Sequence, residues 1–147
     1  GTQNNREVFE MNNGTKVAPI ICYESIYGEY VTEYVRNGAQ FLAIITNDGW
    51  WSESQGYKQH LSYAKIRSIE TRRSIARSAN TGSSAIINKK GEIVNQLDYN
   101  TKGIINGKIN LSDELTFYVK YGDFIYRFSL FFFLIIILFS FTKKKKY

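Results

Sequence analysis

The sequence predicts an α/β fold followed by a single transmembrane helix. Residues 17–21 and 41–46 are short apolar runs rich in β-branched side chains and bounded by polar or turn residues, which is typical of buried strands. Between them, apolar residues recur at helical spacing: Ile26, Tyr30, Val31, Tyr34 and Val35. Strand, helix and strand in this order predict a right-handed βαβ unit with a parallel, buried pair of strands. Residues 124–141 form a separate, almost wholly apolar run.

Composition limits the class of protein. A chain of 147 residues is long enough for one domain with a modest core. The net charge is +6, but four of these charges belong to the lysines at 143–146, which leaves only +2 on the rest of the chain. The body is therefore not a basic nucleic-acid-binding module, and we expect no nucleic-acid partner. One cysteine and one histidine allow neither an internal disulfide nor a zinc site, and we expect no metal and no cofactor.

The single cysteine, Cys22, lies where the first predicted strand meets the helix that we expect from Ser25 onwards. A thiol on such a turn suits a nucleophile, because the first free N–H groups of a helix favour a thiolate or an oxyanion. A lone cysteine at a strand end also fits plain packing, and the residues alone leave both interpretations open. Glu24 is either a general base or a structural acceptor, depending on whether strand or helix continues there.

A second polar segment, residues 47–51, directly follows the strand at 41–46. Because parallel strands end at one edge of a sheet, this segment should lie beside Cys22, at the edge where ligands bind in open α/β sheets. Trp50 and Trp51 are core residues, a wall for an apolar ligand, or a membrane-surface contact. His60 is either a partner for Cys22 or a helix-capping or core-bonding residue, and the second interpretation is favoured.

The remaining elements follow from periodicity and turn residues. We expect a loop and a short strand up to residue 14, a helix from 59 to about 78 with a solvated, ion-paired arginine face, a hairpin of residues 84–88 and 92–97, a further strand at 103–109 and an aromatic linker at 115–123. The helix arginines are at positions 67, 72, 73 and 77.

The apolar run at 124–141 has the length of a membrane span, about 27 Å at the rise of an α-helix. Tyrosines precede it, Arg127 is close enough to its start to snorkel, and lysines follow it. A buried core helix is the alternative, but Phe and Ile on every face disfavour it. The positive-inside rule places the lysine end in the cytoplasm and the α/β body on the other side. We therefore expect a domain at 1–123, a transmembrane helix at 124–142 and a cytoplasmic basic tail at 143–147.

An ordered series of motifs resembles the apolipoprotein N-acyltransferases, membrane members of the nitrilase superfamily. The motifs are CYES at 22–25, TNDGWW at 46–51, QHL at 59–61, RSIETR at 67–72, RSANTG at 77–82 and YGD at 121–123. The resemblance runs from about Gly14 to the end of the chain. It implies a nitrilase-type αββα sandwich, of which this chain would supply about half the strands.

The resemblance also implies an activity in bacterial lipoprotein maturation. An acyl chain passes from a phospholipid to the amino group of a lipid-modified apolipoprotein through a cysteine thioester. Cys22 matches the nucleophile, and Tyr23 and Glu24 match supporting residues beside it. Trp50 and Trp51 match a loop near the acyl-chain entrance. The implied location is the bacterial inner membrane, with the catalytic domain on the periplasmic side.

One departure from the family pattern concerns the other catalytic groups. The resemblance places the family's catalytic glutamate and lysine upstream of the cysteine, whereas Lys16 lies too close to Cys22 and Glu7 and Glu10 lie in the lead-in. We therefore expect a C-terminal part of an enzyme that folds poorly and is inactive alone. The alternatives are a membrane-anchored nitrilase-type amidase that hydrolyses C–N bonds and a non-catalytic tethered module that tolerates Cys22→Ala.

Overall fold

A computed structural model describes residues 5–143 of the chain. The strands are β1 (Phe9–Glu10), β2 (Lys16–Ile21), β3 (Phe41–Thr46), β4 (Ile75–Ala79), β5 (Ser84–Ile87) and β6 (Ile93–Leu97). The helices are α1 (Gly28–Arg36), α2 (Gln55–Thr71), α3 (Phe117–Tyr121) and α4 (Phe124–Lys143). Two 3₁₀ turns, Cys22–Ile26 and Asp48–Trp51, follow β2 and β3.

The strands form one six-stranded sheet in sequence order. β2, β3 and β4 are parallel, so the predicted parallel pair is confirmed, while β1, β5 and β6 run antiparallel to their neighbours. In this register Ile21 is the partner of Ile45, and Thr46 is the partner of Ala79. The ends of β2 and β3 therefore lie side by side, and both 3₁₀ turns leave the sheet at the same edge.

The core lies between one face of this sheet and helices α1 and α2. Its residues alternate along the strands and recur at helical spacing: Ala18, Ile20, Leu42, Ile44, Ile75, Ile87, Val31, Val35, Leu61 and Ala64. The opposite face is open near the same edge, since Ile21 and Ile45 are 53% and 56% exposed. A sheet with one covered and one open apolar face corresponds to half of a sandwich.

The predicted helix from 59 to about 78 is wrong beyond Thr71. Arg72 has φ +52° in the left-handed region and ends α2, and Ile75–Ala79 forms β4 against β3. Ile75, Ala76 and Ala79 satisfy helical spacing, but parallel pairing with β3 buries Ile75 completely, and this tertiary contact decides the structure.

The predicted solvated arginine face is wrong as well. Arg67, Arg73 and Arg77 are only 6%, 1% and 4% exposed. Arg73, Ile75 and Arg77 are each two residues apart in the segment that leads into β4 and forms it. Their side chains therefore lie on the same face of the sheet, which the helices cover. Arg67 instead forms a bidentate ion pair with Glu70, at 3.0 and 3.1 Å.

The strand predicted at 103–109 is not formed. This segment runs over the open face of the sheet without joining it, and a Cβ added at Gly107 would lie 2.3 Å from Ile86 Cδ1. The Asn95 side chain donates to the Asn106 carbonyl at 3.4 Å. The segment forms no backbone ladder with the sheet, and Ile104 within it is 87% exposed. The predicted linker at 115–123 contains the short helix α3.

Helix α4 is the one helix among residues 5–143 that is long and apolar enough to cross a membrane, over Phe124–Thr142. None of this span is buried among the described residues, which disfavours the interpretation of a buried core helix. Glu29 of α1 fastens its start, accepting hydrogen bonds from the Asp123 amide at 2.9 Å and from Arg127 at 2.7 Å. The lysines at 144–146 lie outside the described residues.

Arg73 is the clearest single stabilising side chain outside the apolar core. It donates to the carbonyls of Ala39, Thr71 and Glu114 at 2.6, 3.1 and 2.7 Å. We expect Arg73→Met to lower the free energy of unfolding by about 3 kcal/mol, because it leaves these carbonyls without their donor. Urea denaturation in detergent measures this. Arg72→Met, at the exposed neighbour, should change it by less than about 0.5 kcal/mol, and equal effects would contradict the assignment.

Candidate active site

Cys22 occupies a strained turn at the end of β2. Its φ is +50°, in the left-handed region that residues with a Cβ seldom adopt, and its side chain is partly exposed. The five-residue 3₁₀ turn that begins at Cys22 delays the start of α1 to Gly28, so the helix does not begin at Ser25 as predicted. The strand-to-helix position predicted for the cysteine is nevertheless the observed one.

Glu24 closes this turn. One of its carboxylate oxygens accepts from the Ile21 amide at 2.8 Å, and the other accepts from the Tyr30 hydroxyl. Burial, together with the hydrogen bond to Glu24, raises the pKa of Tyr30 above its usual range, so this phenol stays a donor. Of the two interpretations open for Glu24, these contacts favour the structural acceptor.

His60 lies beneath the turn and is 2% exposed. Its Nδ1 is 2.8 Å from Asp48 Oδ1, while its Nε2 is 3.0 Å from Ser25 Oγ and 3.2 Å from the Cys22 carbonyl oxygen. His60 therefore contacts the backbone of Cys22 and not its sulfur. The core-bonding interpretation fits these contacts.

Asp48, directly after β3, is the centre of a buried polar network and is 0% exposed. Its carboxylate accepts from Arg77 Nη2 at 2.6 Å, from His60 Nδ1 at 2.8 Å and from Thr46 Oγ1 at 2.9 Å. The turn at Gly82 packs so closely that a Cβ there would lie 2.0 Å from Asp48 Oδ2. Only glycine fits beside this carboxylate.

The ionisation of Asp48 follows from these partners. Burial alone raises the pKa of its carboxyl, but the hydrogen bonds from His60 and Arg77 and the Arg77 charge outweigh burial and hold this pKa below its ordinary value. Asp48 is therefore an ionised acceptor at neutral pH.

The network reaches the sulfur through one side chain. Thr46 Oγ1 lies 3.3 Å from Cys22 Sγ as well as 2.9 Å from Asp48 Oδ1. Among residues 5–143 we find no group of three or more His, Cys, Asp or Glu side chains placed to hold a metal ion. The arrangement suits covalent chemistry at sulfur.

The two tryptophans have different surroundings. The Trp51 ring lies 5.4 Å from the His60 ring and 6.4 Å from the Tyr23 ring, and it covers Gly56 so closely that a Cβ there would meet it at 2.5 Å. These residues line a cavity of about 130 Å³ beside the cysteine turn. Trp50 points away and is 82% exposed. Trp51 thus lines this cavity, whereas Trp50 lies at the protein surface.

Sequence reasoning missed Thr46 and Arg77 as site residues and named Asp48 only as part of the segment at 47–51. A signal for Arg77 was present, because its two-residue spacing from Ile75 is the period of a strand. Because a helix was predicted over the same residues, this spacing was not interpreted as that of a strand.

Asp48 should make stability depend on pH. A carboxyl whose pKa is lower in the folded than in the unfolded state stabilises the fold above its unfolded pKa, and this stabilisation is lost as the pH falls through the folded pKa. Asp48→Asn should therefore be less stable than the wild type at neutral pH, because Arg77 loses its charged partner. The gap should narrow in acid below the ordinary aspartate range. Urea midpoints at both pH values measure it, and a constant or widening gap would contradict the assignment.

Comparisons with known proteins agree with this fold. The carbon-nitrogen hydrolase family model matches residues 1–115. The fold is similar to a carbon-nitrogen hydrolase from Helicobacter pylori, with a TM-score of 0.61 at 13% identity, covering 69% of this chain and 42% of that one. It is also similar to an amidase from Nesterenkonia sp., with a TM-score of 0.57 at 16% identity, covering 88% and 50%. At these identities the likeness concerns the fold alone.

Curated relatives carry a more specific name. The chain is 38% identical over 110 residues to an apolipoprotein N-acyltransferase of Chlorobaculum tepidum, covering 75% of this chain and 21% of the relative. It is 32% identical over 126 residues to the Thermotoga maritima protein of that name, covering 86% and 25%. The chain thus spans about a fifth to a quarter of these relatives. The nitrilase-type half-sandwich and the matched residues together show that the chain belongs to the carbon-nitrogen hydrolase family.

Proposed function

We propose that this chain is the C-terminal part of an apolipoprotein N-acyltransferase, with Cys22 as the acyl-carrying nucleophile. The observation that carries the proposal is the geometry of Cys22, a partly exposed thiol on a left-handed strand-end turn backed by a buried, fully paired carboxylate. The curated relatives support the acyltransferase assignment over other activities of the family. An apolar helix that follows the domain directly suits substrates that reside in a membrane.

The proposed reaction has two steps and balances without a cofactor. The Cys22 thiolate attacks the ester carbonyl of a phospholipid, a C–S bond forms, and the C–O bond breaks to release a lysophospholipid that takes up a proton. The α-amino group of a lipid-modified apolipoprotein then attacks the thioester. A C–N bond forms, the C–S bond breaks, and the amine's proton leaves as the thiol is restored.

We assign supporting roles to the residues around the sulfur. Glu24 holds the turn through the Ile21 amide, and Tyr23 and Trp51 line the small cavity beside it. Trp50, which is exposed, is assigned to the acyl-chain entrance at the membrane surface. In this assignment Glu24, Tyr23 and Trp51 shape the site, and Trp50 receives the lipid.

The proton acceptor for Cys22 is assigned to another part of the enzyme. Within residues 5–143, the side chain that contacts Sγ is the Thr46 hydroxyl, which is a poor base. The family resemblance places a glutamate and a lysine upstream of the cysteine. The open face of the sheet at Ile21 and Ile45 is available for the remaining strands of the sandwich.

The proposed location follows from α4. Helix α4 would cross the bacterial inner membrane, with the domain at 1–123 on the periplasmic side and the basic tail at 143–147 in the cytoplasm. The Glu29 contacts to Asp123 and Arg127 would then hold the catalytic turn at a fixed height above the bilayer.

A chimera tests the function. This chain would replace the matching segment of the Chlorobaculum tepidum relative, and transfer from a phospholipid to a lipidated N-terminal peptide would be followed in vesicles. We expect transfer by the chimera, loss of at least about 10³-fold in rate with Cys22→Ala because the thioester route is removed, and no transfer by the 147-residue chain alone.

Ser62→Ala, at an exposed position of α2, is the matched control and should retain full activity. Unchanged transfer with Cys22→Ala would overturn the nucleophile assignment. Hydrolysis of small amides by the chimera, without acyl transfer, would favour the amidase alternative. Transfer by the chain alone would contradict the assignment of the proton acceptor to another part of the enzyme.

A further inference from the structure

Helix α2 carries an exposed apolar surface that starts at the cavity beside Cys22. Tyr63 lines this cavity together with Tyr23 and Trp51, and it is 41% exposed. Ile66, three residues further along α2, is also 41% exposed. Residues three and four apart lie on the same face of a helix, so Tyr63 and Ile66 belong to one surface. This surface leads away from the cysteine turn.

The far end of the surface meets the start of the apolar helix α4. Glu70 is the next residue on this face of α2, and its carbonyl accepts a hydrogen bond from the Thr116 hydroxyl. Phe117, which follows Thr116, is 59% exposed, and its ring lies 5.0 Å from that of Phe124, the first residue of α4. We call Tyr63, Ile66 and Phe117 the α2–α3 stripe. The stripe connects the start of α4 with the cavity.

The charged groups at the end of the stripe are paired. Arg67 and Glu70 form a bidentate ion pair, at 3.0 and 3.1 Å, and Arg67 also donates to the Ile26 carbonyl at 3.3 Å. The Tyr118 hydroxyl donates to the Asp123 carboxylate at 2.9 Å. Because these groups already have partners, covering them with hydrocarbon leaves no charge without compensation.

The length of the stripe suits one acyl chain. From Gln59 to Glu70, helix α2 advances by about 16 Å at the rise of an α-helix. One leaflet of the hydrocarbon core of a bilayer is about 15 Å thick, which is the reach of a phospholipid acyl chain. A chain whose carbonyl carbon lies at the Cys22 sulfur therefore has the length to follow the stripe towards α4.

We propose that the α2–α3 stripe holds one acyl chain of the phospholipid donor while the ester carbonyl is presented to Cys22. This inference rests on the proposed function, and it adds a surface for the body of the chain to the entrance assigned to Trp50. Each methylene that lies on the stripe leaves water, so binding strengthens as the chain lengthens. Ile66 is thus a specificity-determining residue for long acyl chains.

The same helix offers a matched control for Ile66. Ile69 is 45% exposed, but it faces the turn between β5 and β6, since a Cβ added at Gly91 would lie 2.7 Å from Ile69 Cδ1. Replacing either isoleucine with asparagine makes the same chemical change at a similarly exposed position of α2. Only the change at Ile66 alters the stripe.

Photo-crosslinking in vesicles tests the stripe without chemistry at the sulfur. The chimera carrying Cys22→Ala would be irradiated with a phosphatidylethanolamine that has a diazirine in one acyl chain. Trypsin then releases residues 59–65, which contain Tyr63 but neither isoleucine. We expect this peptide to be labelled. We expect Ile66→Asn to lower its labelling about ten-fold, because apolar contact with the chain is lost, and Ile69→Asn to leave it unchanged.

The chain length of the donor gives a second measurement, made with Cys22 intact and without the acceptor. We expect Ile66→Asn to slow acylation of Cys22 by a dihexadecanoyl phospholipid about ten-fold and to leave acylation by a dibutanoyl phospholipid unchanged. An unlabelled peptide 59–65, an equal loss of labelling in both variants, or equal slowing with both donors would overturn the inference. The expected labelling without acylation of Cys22 by either donor would refute the proposed function and leave the stripe as a lipid-binding surface.

Discussion

The ion pair between Arg77 and Asp48 is the interaction on which the site depends. The two side chains meet at 2.6 Å with both fully shielded from water, so removing either would leave an uncompensated buried charge. Arg77 also donates to the Ser83 carbonyl, and Asp48 accepts from His60. The Arg77–Asp48 ion pair and its hydrogen bonds thus connect β4, the turn after β3, helix α2 and the turn before β5. The close approach of Gly82 to the carboxylate belongs to the same assembly.

This buried ion pair explains how Cys22, which directly follows β2 in a strained backbone conformation, is held in place. His60 reaches the Cys22 carbonyl and Ser25 from below, and Thr46 reaches the sulfur from the side. The left-handed backbone at Cys22 costs on the order of 1 to 3 kcal/mol, which these contacts and the Glu24 bond to the Ile21 amide offset. A sulfur held in place at a sheet edge suits the proposed covalent acyl transfer.

Much of this arrangement is predictable from local sequence, and the rest depends on contacts between distant segments. The run at 17–21 and the strand Phe41–Thr46 have unmistakable strand composition, and their order places Cys22 and Asp48 at one edge. The helix predicted to continue from residue 72 to about 78 was wrong, because helical spacing and strand alternation coincide around Ile75 and only the pairing of β4 with β3 distinguishes the two structures. The burial of Arg73 and Arg77 could not be predicted from the sequence, because the partners of an arginine side chain depend on the tertiary structure.

The proposed role of Cys22 as the carrier of the acyl chain can be tested by trapping the intermediate. The chimera would be supplied with a phospholipid bearing an isotopically labelled acyl chain, quenched in acid during turnover and mapped by tandem mass spectrometry. We expect the labelled acyl chain on the peptide that contains Cys22, and we expect neutral hydroxylamine to release it, as it releases a thioester. Acyl transfer that proceeds with an unlabelled Cys22 peptide, or with the label on another residue, would contradict it.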